Sequence, residues 1–187
     1  MTRVSIILPL ASLFVALSGY AGGAGPSPYA GEETRPVKSL SPDDIAELRR
    51  GGGWGLAKAA ELNGLPGPLH LLELKDRIPL TPEQVEAVAG IYERMREAAI
   101  AQGERFVAAE QALEEAFRAD EVTQESLEAM LAEIAESRAN LRFIHLSAHL
   151  GTPGLLTEAQ LARYAALRGY HAHRGSAAHR AHGQDEH

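Results

Sequence analysis

The chain has 187 residues, 45% of them apolar but only 5% aromatic, with a formal net charge of −7 and no cysteine. That is enough for one modest domain, while the missing cysteines exclude a disulfide framework and any thiolate metal ligand. Residues 81–142 alone carry fourteen Asp or Glu against six Arg, a surface that repels phosphate backbones and excludes nucleic acid as a partner.

Ala, Leu and Glu dominate, and no stretch alternates apolar with polar residues as a half-buried strand does. The fold class is therefore all-α.

Taken in order, residues 1–21 predict a secretory signal peptide. Arg3 supplies the positive start, Val4 to Leu17 the apolar run, and Ser18, Gly19 and Ala21 a small-residue cleavage site. Its rival is a retained anchor, for which the apolar run is short. No Cys follows the run, so a lipoprotein anchor at this site is excluded. Residues 22–40, rich in Gly, Pro and Ser, predict a flexible tether. A helical domain is expected over 41–170.

Ser41 followed by Pro42, Asp43 and Asp44 starts a helix that should run to about Arg50, where Gly51 to Gly53 end it. The glycines around Trp54 do not make a phosphate loop, because neither a Gly-Lys-Ser/Thr ending nor a preceding strand is present. Trp54 and Leu56 are expected to cap one end of a helical bundle, with a short helix at Ala57 to Leu62. Pro68 opens a third segment ending at Pro79, which places His70 and Glu73 three apart on one face.

From Pro82 to about Phe117, Val85, Val88, Tyr92, Met95, Ala99, Phe106, Ala109 and Leu113 follow three-four spacing, interrupted at Gln102. A turn at 119–122 leads to Thr123, an N-cap, and then to a partner helix carrying Leu127, Met130, Ile134, Leu141 and Ile144. Two long amphipathic helices joined by a short turn make an antiparallel hairpin. So long a hairpin cannot cover all its own apolar surface, which predicts a homodimer.

Two copies of one five-residue pattern flank the hairpin, LTPEQ at Leu80–Gln84 and LTEAQ at Leu156–Gln160. Each places a Thr N-cap three residues before a Gln, a capping-box arrangement. The last helix should span Glu158 to Arg168 and stop at Gly169. Residues 171–187 predict a disordered, His-rich tail able to bind transition metals loosely.

His145 and His149 are four residues apart with no helix breaker before Gly151, so both imidazoles leave one helix face. That spacing suits one divalent ion, with further donors needed from elsewhere. It equally suits two half-buried histidines beside C-terminal carbonyls. Pairing the hairpin about its turn brings His70, Glu73, Glu86 and Glu93 toward the same end. His70, Glu73, His145 and His149 are the candidate ligands, and an all-N/O set favours zinc, nickel, cobalt or copper(II). No catalytic constellation is present: there is no activated Ser or Cys nucleophile and no His-Glu-x-x-His pattern, so no enzyme is expected.

The signal segment, the two Leu-Thr-x-x-Gln motifs and the hairpin between them resemble the Spy/CpxP-like, or LTXXQ-motif, family and its heavy-metal-resistance relatives of ZraP and CnrX type. The resemblance covers about residues 67–170. It implies a periplasmic protein folded as a helical hairpin and paired into a cradle-shaped dimer. Its Spy-like members are ATP-independent chaperones of unfolded or stress-exposed envelope proteins, its CpxP-like members inhibit envelope stress signalling, and its CnrX-like members sense metal. A membrane sensor or regulator is thereby an implied partner. His145 and His149 look like the metal-sensing branch's paired ligands, while Glu73 stands where that branch has a second histidine near His70.

Overall fold

The computed structural model describes residues 25–170. The expected signal segment at 1–21 and the His-rich tail at 171–187 lie outside the described residues.

Among the described residues the chain is all-helical: α1 (Pro42–Arg49), α2 (Lys58–Glu61), α3 (Pro68–Glu73), α4 (Pro82–Arg118), α5 (Gln124–Leu150), a 3-10 turn (Pro153–Leu155) and α6 (Glu158–Arg168). No helix among them is long and apolar enough to cross a membrane.

Helix starts are chemically marked. Ser41 with Asp44, Thr81 with Gln84, Thr123 with Ser126 and Thr157 with Gln160 each form a complete capping box, in which N-cap and N3 side chains satisfy each other's backbone N–H. Pro42, Pro68 and Pro82 sit in first turns, where their missing N–H costs nothing. The α6 stop is a left-handed Gly169 at φ 73°, a conformation glycine adopts without Cβ strain.

α4 and α5 pack along each other as the antiparallel hairpin. The break in the heptad at Gln102 is a bridge: its Nε2 donates to Ser137 Oγ at 2.7 Å and to the Ser137 carbonyl at 3.2 Å, both residues being buried. A buried amide met by two acceptors fixes the register of the two helices.

Two apolar clusters lie along the hairpin. The first joins Val37, Leu40, Leu48 and Leu56 to Ala99, Phe106, Val107 and Leu141. The second joins Leu71, Ile78, Val88 and Tyr164, with leucines of the α3–α4 turn and of α6 around them.

Three expectations need correction. The tether expected over 22–40 ends earlier, because one compact unit begins at Thr34 and Val37 and Leu40 are buried in the first cluster. Composition misses this because two aliphatic side chains in a polar stretch are enough to pin it down. Residues 25–33 belong to a separate unit of turns, with the Gly31 N–H donating to the Glu33 carboxylate. The third helix stops at Glu73 rather than Pro79, and Leu74 to Pro79 complete it as turns.

Trp54, expected at a bundle end, lies against the hairpin's flank. Its ring centroid is 5.6 Å from that of Phe106, with the Arg138 guanidinium 5.1 Å above it. Its Nε1 donates to Asp44 Oδ1 at 2.8 Å. The Ser41 hydroxyl, and then this indole N–H, hold the Asp44 carboxyl below its ordinary range.

At one point α1 approaches α4 backbone to backbone. A Cβ on Gly103 would lie 2.6 Å from the Leu48 carbonyl oxygen. Only glycine permits this crossing.

Candidate functional site

Beyond Leu141, α5 turns polar on its buried face, and His145 and His149 are 3% and 8% exposed. α2 and the α2–α3 connection close over His149, where Glu61 meets Tyr164, Arg168 and Tyr170, while Glu47 and the Gly52 backbone lie beside His145.

Glu61 is the hub. Its Oε1 accepts from the hydroxyls of Tyr164 and Tyr170, the latter at 3.0 Å, and Arg168 Nε lies 3.3 Å away as an ion pair rather than an aligned hydrogen bond. Its Oε2 accepts from the Gly67 N–H at 3.2 Å and faces His149 Nδ1 at 3.7 Å. A buried carboxylate is tolerated only when paired and hydrogen-bonded in this way, and removing one partner from such a set costs about 3–5 kcal/mol. Burial, and then the hydrogen bond to Glu61, push the Tyr164 phenol well above its ordinary range, so it serves as a donor.

His149 is oriented by backbone. Its Nδ1 lies 2.8 Å from the Leu65 carbonyl oxygen, which can only accept, so Nδ1 carries the proton. A Cβ on Gly67 would fall 2.9 Å from both Cε1 and Nε2 of this ring, so the imidazole needs glycine opposite it. Thr152 anchors the end of the helix by donating to the Pro66 carbonyl.

His145 differs from it. Its Nε2 is buried with no hydrogen-bond partner. Burial, and then the neighbouring His149, lower its pKa, against the pull of Glu47 and of the Gly52 backbone. The ring is held neutral.

His70 and Glu73 form their own pair, Nδ1 to Oε2 at 3.0 Å, on a largely solvated face. Glu86 is exposed and lines an open cleft of about 380 Å³ with Lys75, Asp76, Leu80, Pro82, Val85 and Ala89. The two histidines of α5 therefore share one buried face, and His70 with Glu73 share a separate, largely solvated one. Among the described residues no group of three or more His, Asp or Glu side chains is placed to hold a metal ion.

Sequence reading missed Glu61, Tyr164, Arg168 and Tyr170. The available signal was a lone acid in the apolar stretch Ala59–Leu62 and two tyrosines straddling Gly169. Neither shows which carboxylate meets which phenol across about a hundred residues.

The two repeated motifs meet face to face. Gln84 Nε2 donates to Gln160 Oε1 at 3.0 Å and to the Leu155 carbonyl at 2.7 Å. Gln160 Nε2 donates to Gln84 Oε1 at 2.8 Å and to the Pro79 carbonyl at 3.1 Å. Each Gln thus caps its own helix, bonds its counterpart, and reaches the carbonyl two residues before the other motif's Thr. This near-twofold clasp holds α6 to the start of α4. No protein-family model matches the chain, and it has no match among curated proteins or solved structures.

Proposed function

We propose that the protein is an exported helical cradle of Spy/CpxP type, which binds unfolded polypeptides without nucleotide and works as a dimer. One observation carries this reading. Ala139, Phe143, Leu146 and Leu150 follow one another at spacings of four, three and four along the outer face of α5, and Phe143 and Leu150 are each 70% exposed. A seam of that spacing is built to meet another helix.

A second copy is its natural occupant. Run antiparallel about the point between Ile144 and His145, α5 brings Phe143 of each copy against Leu146 of the other and Ala139 against Leu150, so the apolar seam is self-complementary. The glutamine clasp gives the repeated motifs a shared role and adds support to the family resemblance. Client binding falls to the hairpin, whose apolar residues are bordered by glutamates.

The decisive measurement is aggregation suppression. Equimolar protein should suppress aggregation of several unrelated unfolding clients without ATP, and failure with all of them would sink the reading.

A divalent-metal sensor or buffer is the second reading, favoured by the unpartnered, buried Nε2 of His145 on the face it shares with His149. The donor set fits in part. Two imidazoles are supplied, His149 with Nδ1 engaged and only Nε2 left as a donor, whereas a closed zinc site takes four ligands. The remaining donors must come from water, a second copy or residues outside the described ones.

A further inference from the structure

We propose that residues 34–50 occupy, within the same chain, the groove in which a client segment binds, so that the protein is closed by a stretch of itself. The chemistry of its first run, Arg35 to Leu40, names the client class: polypeptide in which Lys or Arg is interleaved with aliphatic residues. The proposal rests on the client-binding reading above and specifies its site.

The floor of the groove is the apolar strip of the hairpin, Ala99, Phe106 and Val107 of α4 with Leu141 of α5. The hairpin does not cover this strip itself. Val37, Leu40 and Leu48, each no more than 3% exposed, cover it together with Trp54 and Leu56 just beyond the segment. The rim is acidic, and each rim carboxylate holds a polar group of the same segment. Glu114 pairs with Lys38, Glu110 accepts from Ser39 Oγ at 2.6 Å, and Glu104 lies 3.3 Å from Arg49 Nε. The run Val37-Lys38-Ser39-Leu40 thus sends its aliphatic residues to the floor and its polar residues to the rim. It answers apolar surface and negative charge together, as a bound ligand does.

The polar part of the fastening is of a kind that can be exchanged. The rim contacts lie at the surface, where ion pairs are weak and screened by salt. The segment runs into Gly51 to Gly53 and then Trp54, which is held at φ 42°, a strained conformation for a bulky side chain. A tethered segment competes with any client at high effective concentration, and lowers apparent client affinity by the fraction of time it sits in the groove.

The test uses the full chain, whose lack of cysteine makes labelling site-specific. Lys38→Cys and Glu114→Cys, joined by a short bis-maleimide, lock the segment in place. Fluorescence anisotropy then follows a labelled peptide copying residues 36–50, and a second copy carrying Lys38→Glu, Arg49→Glu and Arg50→Glu. Before crosslinking the chain should bind the unaltered copy at least tenfold tighter than the substituted one. Crosslinking should weaken binding of the unaltered copy at least tenfold while thermal unfolding stays cooperative. Equal binding by locked and open chains, or of the two peptides, overturns the proposal. Aggregation suppression that survives the crosslink also overturns it, while leaving the chaperone reading intact. Crosslink-sensitive peptide binding without any aggregation suppression upholds the groove and removes the chaperone reading.

Discussion

His145 makes the clearest statement at the scale of one residue. Its ring is buried and its pKa is lowered from 6.5, chiefly by burial, whereas the unfolded chain titrates at that ordinary value. The sign follows from linkage. Above about pH 6.5 neither state is protonated there and nothing is lost; as pH falls below about 6.5 the unfolded state gains the proton first, and stability declines toward the folded pKa. Thermal melts between pH 7.5 and pH 5 should show that decline, and His145→Gln should flatten it; equal slopes for both proteins would refute the assignment.

The same residue tests the metal reading. In a chain ending at Tyr170, His145→Ala or His149→Ala should each weaken zinc or nickel binding by well over tenfold in calorimetric titration. No binding tighter than about millimolar in the unsubstituted truncated chain removes the metal site.

Elements are held by paired devices. Gln84 and Gln160 each cap one helix and bond each other, so their effects on stability must be coupled. Gln84→Ala and Gln160→Ala should each cost about 1–2 kcal/mol, with a double mutant cheaper than their sum by about 0.5 kcal/mol or more in chemical denaturation. Strict additivity would mean that the clasp carries no energy of its own.

Gly103 sets the approach of α1 to α4. Alanine favours a helix interior over glycine by about 1 kcal/mol, but here its Cβ meets the Leu48 carbonyl oxygen at 2.6 Å, and main chain cannot swing aside as a side chain can. Overpacking typically costs about 1–3 kcal/mol, so Gly103→Ala should destabilise, read as a lowered denaturation midpoint with an unchanged m-value.

For the whole molecule the question is what meets α5's outer face. Phe143→Asp puts a charge in the middle of the proposed seam, so it should convert the proposed dimer to a folded monomer in sedimentation velocity at tens of micromolar, with the helical circular dichroism spectrum kept. A wild-type chain already monomeric there would refute the seam.

The features legible in the sequence are local ones. Capping boxes, first-turn prolines and terminal glycines act within one turn of backbone, so α1, α4, α5 and α6 were legible almost to the residue, and the three-four spacing made the hairpin legible too. The shared face of His145 and His149 followed from helical periodicity alone. Which elements meet depends on how the chain packs. Gln102 reads as a flaw in a heptad until Ser137 lies opposite it. Thr34 to Leu40 reads as tether until Val37 and Leu40 find an apolar floor. Glu61, an ordinary helical glutamate in sequence, becomes the hub of a buried network only when α6 delivers Tyr164 from a hundred and three residues away. Periodicity reports which face of a helix is apolar, but not which distant side chain will satisfy a buried charge, because that depends on chain crossings that no local pattern encodes.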